Sequence, residues 1–93
     1  MRPRILQNGR LMPRLEGDLA ARYDLHARWR EADPAGFLRA QGAGFTGLVT
    51  SAPVGASAAL IEALPSLRVI ASFGVGYETI DLEVARRRGI AVA

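Results

Sequence analysis

The chain has no cysteine and no lysine, and a single histidine, His26. Without cysteine there are no disulfides, thiol nucleophiles or thiolate metal sites. Without lysine, Schiff-base chemistry and the lysine of a P-loop are excluded. One histidine provides no cluster for a transition metal and no evident acid–base pair. Aromatic residues are sparse at 6%. No run approaches the roughly 18 consecutive apolar residues of a membrane helix. The start, Met1-Arg2-Pro3-Arg4-Ile5-Leu6, is basic but lacks the apolar stretch of a signal peptide. A cytoplasmic protein with no membrane partner is the expectation. These absences argue that the chain does not contain a complete enzyme active site.

What is present suits one domain: 93 residues, 49% of them apolar, enough for a modest core. The 12 basic residues, all arginine, exceed the acids by a net charge of only +3. That balance gives little support for a nucleic-acid partner, and none is expected. Arg28-Trp29-Arg30 interleaves an aromatic with cations, but one Trp makes no stacking platform; packing near a strand is expected. Arg86-Arg87-Arg88 reads as a solvated helix end favoured by the helix dipole. The acids Glu16, Asp18, Glu31 and Glu62 fall on predicted helix surfaces or loops, and no pair makes a catalytic dyad.

Short apolar runs alternate with helical patterns, as in βα units around a parallel sheet. Strands are expected at Arg4–Gln7, around Asp24–His26, at Gly47–Thr50, at Leu67–Ser72 and from Ile90 to Val92. Between them, Pro13 opens a helix with Leu15, Leu19 and Tyr23 on one face. Asp33-Pro34 caps a second, Ser57 a third bearing Leu60, Ile61 and Leu64, and Asp81 a fourth bearing Leu82 and Ala85. The few polar interruptions in Leu67–Ser72 predict a strand covered on both faces. The pattern predicts an α/β, flavodoxin-like parallel sheet of about five strands in order 2-1-3-4-5, with helices on both faces. Ligands of such sheets bind beyond the carboxyl ends of the strands, here after Gln7, Thr50 and Ser72.

Two glycine patterns compete for attention. Gly42-Ala43-Gly44-Phe45-Thr46-Gly47 fits the letters of GxGxxG. A dinucleotide fingerprint must follow a strand and open a helix, whereas here a helix precedes and a strand follows. A helix stop using glycine for positive φ is expected instead. Gly74-Val75-Gly76 follows the clearest strand and precedes the helix capped by Asp81. Its backbone N–H groups could form a small-anion cradle. Thr79 stands five residues after Gly74, so the third fingerprint glycine is missing. From spacing alone, an ordinary strand-to-helix turn remains open.

The stretch from Pro65 to Asp81, with Ser72-Phe73-Gly74-Val75-Gly76-Tyr77-Glu78-Thr79 at its centre, resembles the D-isomer-specific 2-hydroxyacid dehydrogenases. Ala85-Arg86-Arg87-Arg88-Gly89-Ile90-Ala91-Val92 continues the likeness, as do Leu48-Val49-Thr50 and the helix from Ser57. The resemblance is specific over residues 47–93 and one of layout upstream. It is nearest to glyoxylate, hydroxypyruvate and hydroxyphenylpyruvate reductases. It implies the substrate-binding domain of a two-domain oxidoreductase that reduces small 2-keto acids with NAD(P)H. It further implies that Val75 and Gly76, with Gly74, hold the substrate carboxylate through backbone N–H groups. Ser51, Leu11 and Met12 would lie near the same cleft. Glu78 departs from the family's usual Asp.

The family's catalytic His, its paired carboxylate, its catalytic Arg and its dinucleotide fingerprint have no counterpart here; His26 matches no family motif. The expectation is an incomplete domain over residues 1–93, inactive alone, with the dinucleotide-binding domain absent. No cofactor or metal is expected to bind it. An apolar end at Ala91-Val92-Ala93 predicts an exposed sheet face and a homo-oligomer, formed by self-association or strand exchange. The alternative is a stand-alone binding or regulatory α/β module. A receiver-like form is poorly matched, since Gln7-Asn8 and Ser51 stand where it needs acids.

Overall fold

Strand and helix signals alternate along the chain, and the computed structural model turns each alternation into one βα unit. It describes residues 2–51, 53–74 and 79–93. The strands are β1 (Arg4–Gln7), β2 (Asp24–Ala27), β3 (Gly47–Ser51), β4 (Val69–Phe73) and β5 (Ala91–Val92). All neighbouring pairs are parallel, in the order β2-β1-β3-β4-β5, as expected. The helices are α1 (Pro13–Arg22), α2 (Pro34–Gln41), α3 (Ala58–Glu62) and α4 (Leu82–Arg87).

Local chemistry starts and stops these helices. The side chains of Asp33, Ser57 and Asp81 accept from the N–H groups of Gly36, Leu60 and Val84, at 3.1 to 3.2 Å. Gly89 follows α4 with φ +71°, the left-handed region that glycine enters without a Cβ clash. Arg88 is not the solvated cation expected of a helix end. It donates to the carbonyl oxygens of Ile61 and of Leu64, the latter at 2.8 Å. It thereby satisfies carbonyls at the end of α3, a helix too short to do so itself.

Strand register sorts the sheet into two faces. One row runs His26, Leu6, Leu48, Ile70, Val92 across all five strands. Leu6, Leu48 and Ile70 belong to the main buried cluster, with Phe37 and Leu38 of α2, Leu60 and Ile61 of α3, and Val84 and Ala85 of α4. The opposite face carries Ile5, Gln7, Val49, Val69, Ala71 and Phe73, alternating with that row. Helix α1 lies on this side, where its Glu16 bonds Gln7. None of the α1 residues is buried; Leu15 and Leu19 are half-buried.

Three further expectations need correction. On α4 the buried residues are Val84 and Ala85, while Leu82 is exposed, because the helix meets the core one position further round. Strand β4 is covered fully on one face only: Val69 is 39% and Phe73 38% exposed. Gly42 does not take positive φ. At φ −57° it continues α2 into a single 3-10 turn, Gly42–Gly44. Glycine is required there for close approach, since a Cβ would lie 2.2 Å from the Ala63 carbonyl oxygen.

Candidate functional site at the carboxyl edge

Three loops leave the same end of the sheet, after β1, β3 and β4. Ser51 pairs in register with Phe73, so Gly74 stands one residue beyond Ser51 at the sheet edge. Gly74 has φ +121°. Of the residues anticipated for the site, Gly74, Ser51, Leu11 and Met12 are placed here; Val75 and Gly76 lie outside the described residues.

The loop after β3 is the hub of this edge. The Val54 and Gly55 N–H groups donate to the Ser51 carbonyl, at 3.1 and 2.8 Å, closing a turn. The Gly55 carbonyl accepts from the buried Thr50 hydroxyl and from the Asn8 side chain, both at 2.8 Å. This ties the third loop to the first. On the other side Ala56 donates to the Thr79 carbonyl at 3.0 Å, and Asp81 donates back to Ala56 at 2.9 Å. This ties it to the segment after β4. Gly55 has φ +63°, and a Cβ there would lie 2.2 Å from the Thr79 oxygen, so only glycine fits.

The first loop is positioned by a carboxylate. Glu16, on the first turn of α1, accepts from the Gln7 side chain at 2.7 Å, the Leu11 N–H at 2.9 Å and Arg10 Nε at 3.3 Å. These donors, the Leu11 N–H foremost, hold its pKa below the ordinary carboxylate value against the opposing effect of burial. Glu16 is therefore a loop clamp rather than a surface acid. Leu11 is half-buried behind it, and Met12, preceding α1, is 73% exposed. Gly9 packs against Ser51; a Cβ at Gly9 would lie 2.7 Å from Ser51 Oγ. Ser51 and the Leu11–Met12 loop are thus brought together. Asn8, Gly9, Glu16 and Gly55 were missed from sequence. Only Gly9, two residues beyond a predicted strand, carried a signal that could have flagged the loop.

The remaining candidates serve structure. His26 stacks on Phe37, with centroids 4.5 Å apart, and its Nε2 meets Glu31 at 2.8 Å. Trp29 lies under Arg10, whose guanidinium is 5.4 Å from the ring centroid. Among the described residues no three His, Cys, Asp or Glu side chains gather as a metal site. No described helix is long and apolar enough to cross a membrane. The Gly42–Gly47 motif does not fit a dinucleotide: Gly42 packs on the Ala63 carbonyl, and the motif runs into β3 rather than a helix N-terminus.

Fold and site together define a class: a doubly wound α/β domain that presents ligand-binding loops beyond the carboxyl ends of parallel strands. Residues 18–93 match the model of the D-isomer specific 2-hydroxyacid dehydrogenase catalytic domain. The chain belongs to that family. It is 35% identical over 78 residues to hydroxyphenylpyruvate reductase of Plectranthus scutellarioides, covering 84% of this chain and 25% of that protein. A glyoxylate/hydroxypyruvate reductase of Arabidopsis thaliana matches with the same identity and coverage. Among solved structures, a 2-hydroxyacid dehydrogenase from Ketogulonicigenium vulgare superposes with TM-score 0.94 at 38% identity, over 99% of this chain and 29% of that one. The NADPH-dependent glyoxylate/hydroxypyruvate reductase of Sinorhizobium meliloti, in complex with NADP and malonate, superposes with TM-score 0.81 at 35% identity, over 99% and 28%. The chain spans about a quarter of the length of the curated relatives it matches.

Proposed function

We propose that this chain is the substrate-binding domain of an NAD(P)H-dependent oxidoreductase that reduces small 2-keto acids, such as glyoxylate or hydroxypyruvate, to D-2-hydroxy acids. The observation that carries the reading is the hub at Gly55, which ties the loops after β1, β3 and β4 into one edge. A rigid edge of this kind places N–H groups around an anion without a reorganisation cost at each binding event. In this reading Gly74, Val75 and Gly76 hold the substrate carboxylate through backbone N–H groups. Ser51, Leu11 and Met12 lie near the same cleft. The S. meliloti relative, crystallised with the dicarboxylate malonate, supports a carboxylate ligand.

No residue of this chain is assigned the proton or the hydride. NAD(P)H belongs to a dinucleotide-binding domain outside these 93 residues, consistent with the share of the relatives' length that they span. The half-covered β4 face with Val69 and Phe73 is where copies of the isolated chain would associate.

The test is a titration of the isotope-labelled chain with malonate, glyoxylate and hydroxypyruvate, alongside an NAD(P)H oxidation assay. Carboxylate-dependent shifts at residues 9–12, 51 and 74–76 without turnover are expected. Turnover by the 93 residues alone would overturn the assignment of chemistry to a second domain. Absence of any shift at those loops would sink the substrate-domain reading and favour an unrelated binding module.

A further inference from the structure

A second cleft opens on the other side of the Gly55 loop, between α2 and α3, with a volume of about 680 Å³. Its walls combine Leu38, Leu60, Ala63 and Pro65 with two arginines, Arg28 and Arg39, and among the described residues no Asp or Glu lines it. Asn8 and Val54 of the carboxyl-edge loops border the cleft, whereas Leu11, Met12, Ser51 and Gly74 are not part of its lining.

The arginines are under-used by the fold. Arg28 donates through Nη1 to the neutral Asn8 side chain at 3.0 Å, and its buried Nε has no hydrogen-bond partner among the described residues. A neutral amide oxygen leaves the Arg28 charge uncompensated, whereas a carboxylate would make the stronger, charge-assisted bond. Arg39 has no ion-pair partner among the described residues. Two uncompensated guanidiniums beside an apolar wall match a particular chemistry: an anionic head on an apolar body.

We propose that this cleft binds a small organic carboxylate with an aromatic or branched body. The carboxylate meets the accessible edge of the Arg28 guanidinium and the Arg39 guanidinium, and the body lies against Leu38, Leu60, Ala63 and Pro65. Because Asn8 joins Arg28 to the Gly55 carbonyl, an occupant there also bears on the loop hub. The inference does not depend on the 2-keto acid reading, since the two sites share no proposed contact residue.

The probes are 3-phenylpropionate, its neutral amide and inorganic phosphate, titrated into the labelled chain with the Arg Nε–H signals followed directly. Phenylpropionate is expected to shift Arg28 Nε–H and the amides of residues 35–43 and 57–63. Arg39→Gln should weaken it by about tenfold or more, the scale of one charge-assisted hydrogen bond. Arg39 is exposed, so this variant keeps the fold; Arg28→Gln, which also releases Asn8, is the stronger second variant. Equal shifts from the amide, unchanged affinity in Arg39→Gln, phosphate binding as tightly as phenylpropionate, or shifts confined to residues 9–12, 51 and 74 would each overturn it.

Discussion

The two faces of the sheet are held by different forces. On the Leu6–Leu48–Ile70 side, three helices bury a continuous apolar cluster. On the Ile5–Val69–Phe73 side, one helix sets half-buried Leu15 and Leu19 and the Glu16–Gln7 bond against the sheet. Glu16 also holds Arg10 and Leu11 of the preceding loop, and the β4 end of the face stays half-exposed. The first arrangement makes stability; the second makes geometry, because hydrogen bonds fix where a loop goes while contributing only about 1 kcal/mol each. The functional loops are fastened by such polar contacts, with Ala56 and Ile80 entering the core beneath them.

That contrast can be broken by substitution. Leu48→Ala should cost about 2–5 kcal/mol in urea unfolding, because a side chain 1% exposed leaves a cavity in the covered face. Gly55→Ala should cost about 2 kcal/mol, combining positive φ with a clash on Thr79, and it should move amide signals in all three loops at once. A loss of stability without those linked shifts would count against Gly55 as hub.

Glu16→Gln should destabilise by about 1 kcal/mol at neutral pH and disturb residues 9–12 more than the core. Its folded pKa is lowered, so its contribution is present above the ordinary carboxylate value and lost as pH falls through the lowered one. Urea midpoints of native chain and variant should therefore converge toward acid; a constant gap down to pH 3 or so would refute the clamp. Val69→Thr on the half-exposed face should cost about 0.5 kcal/mol or less and reduce concentration-dependent association in light scattering. If it costs as much as Leu48→Ala, the two faces are not different in kind.

The architecture was legible because each element carries its own punctuation. Asp33, Ser57 and Asp81 cap helices through local bonds, and the short apolar runs of β1, β3 and β4 stand between the helical patterns. The Leu82 error shows where that stops: Leu82 and Val84 both flank Ala85 on α4, and only docking decides which of them joins it in the core. Gly42 shows the same limit, since a close backbone approach and a positive φ both ask for glycine and the letters do not distinguish them. Within the candidate site, Gly74 and Ser51 were legible from their places after strands. Asn8, Glu16 and Gly55 were not, because their partners lie between 5 and 47 residues away.

By itself the sequence determined the class of chemistry this chain lacks, the order of its elements and the family to which its glycine loop points. Those properties depend on composition, local capping and short-range periodicity. Tertiary structure alone decided that one face of the sheet is sealed and the other half-open. It also decided that Gly55 gathers three loops, and that Arg28 is left with a buried N–H beside an apolar cleft. Each of these is a relation between distant segments, and it exists only once the strands have chosen their neighbours.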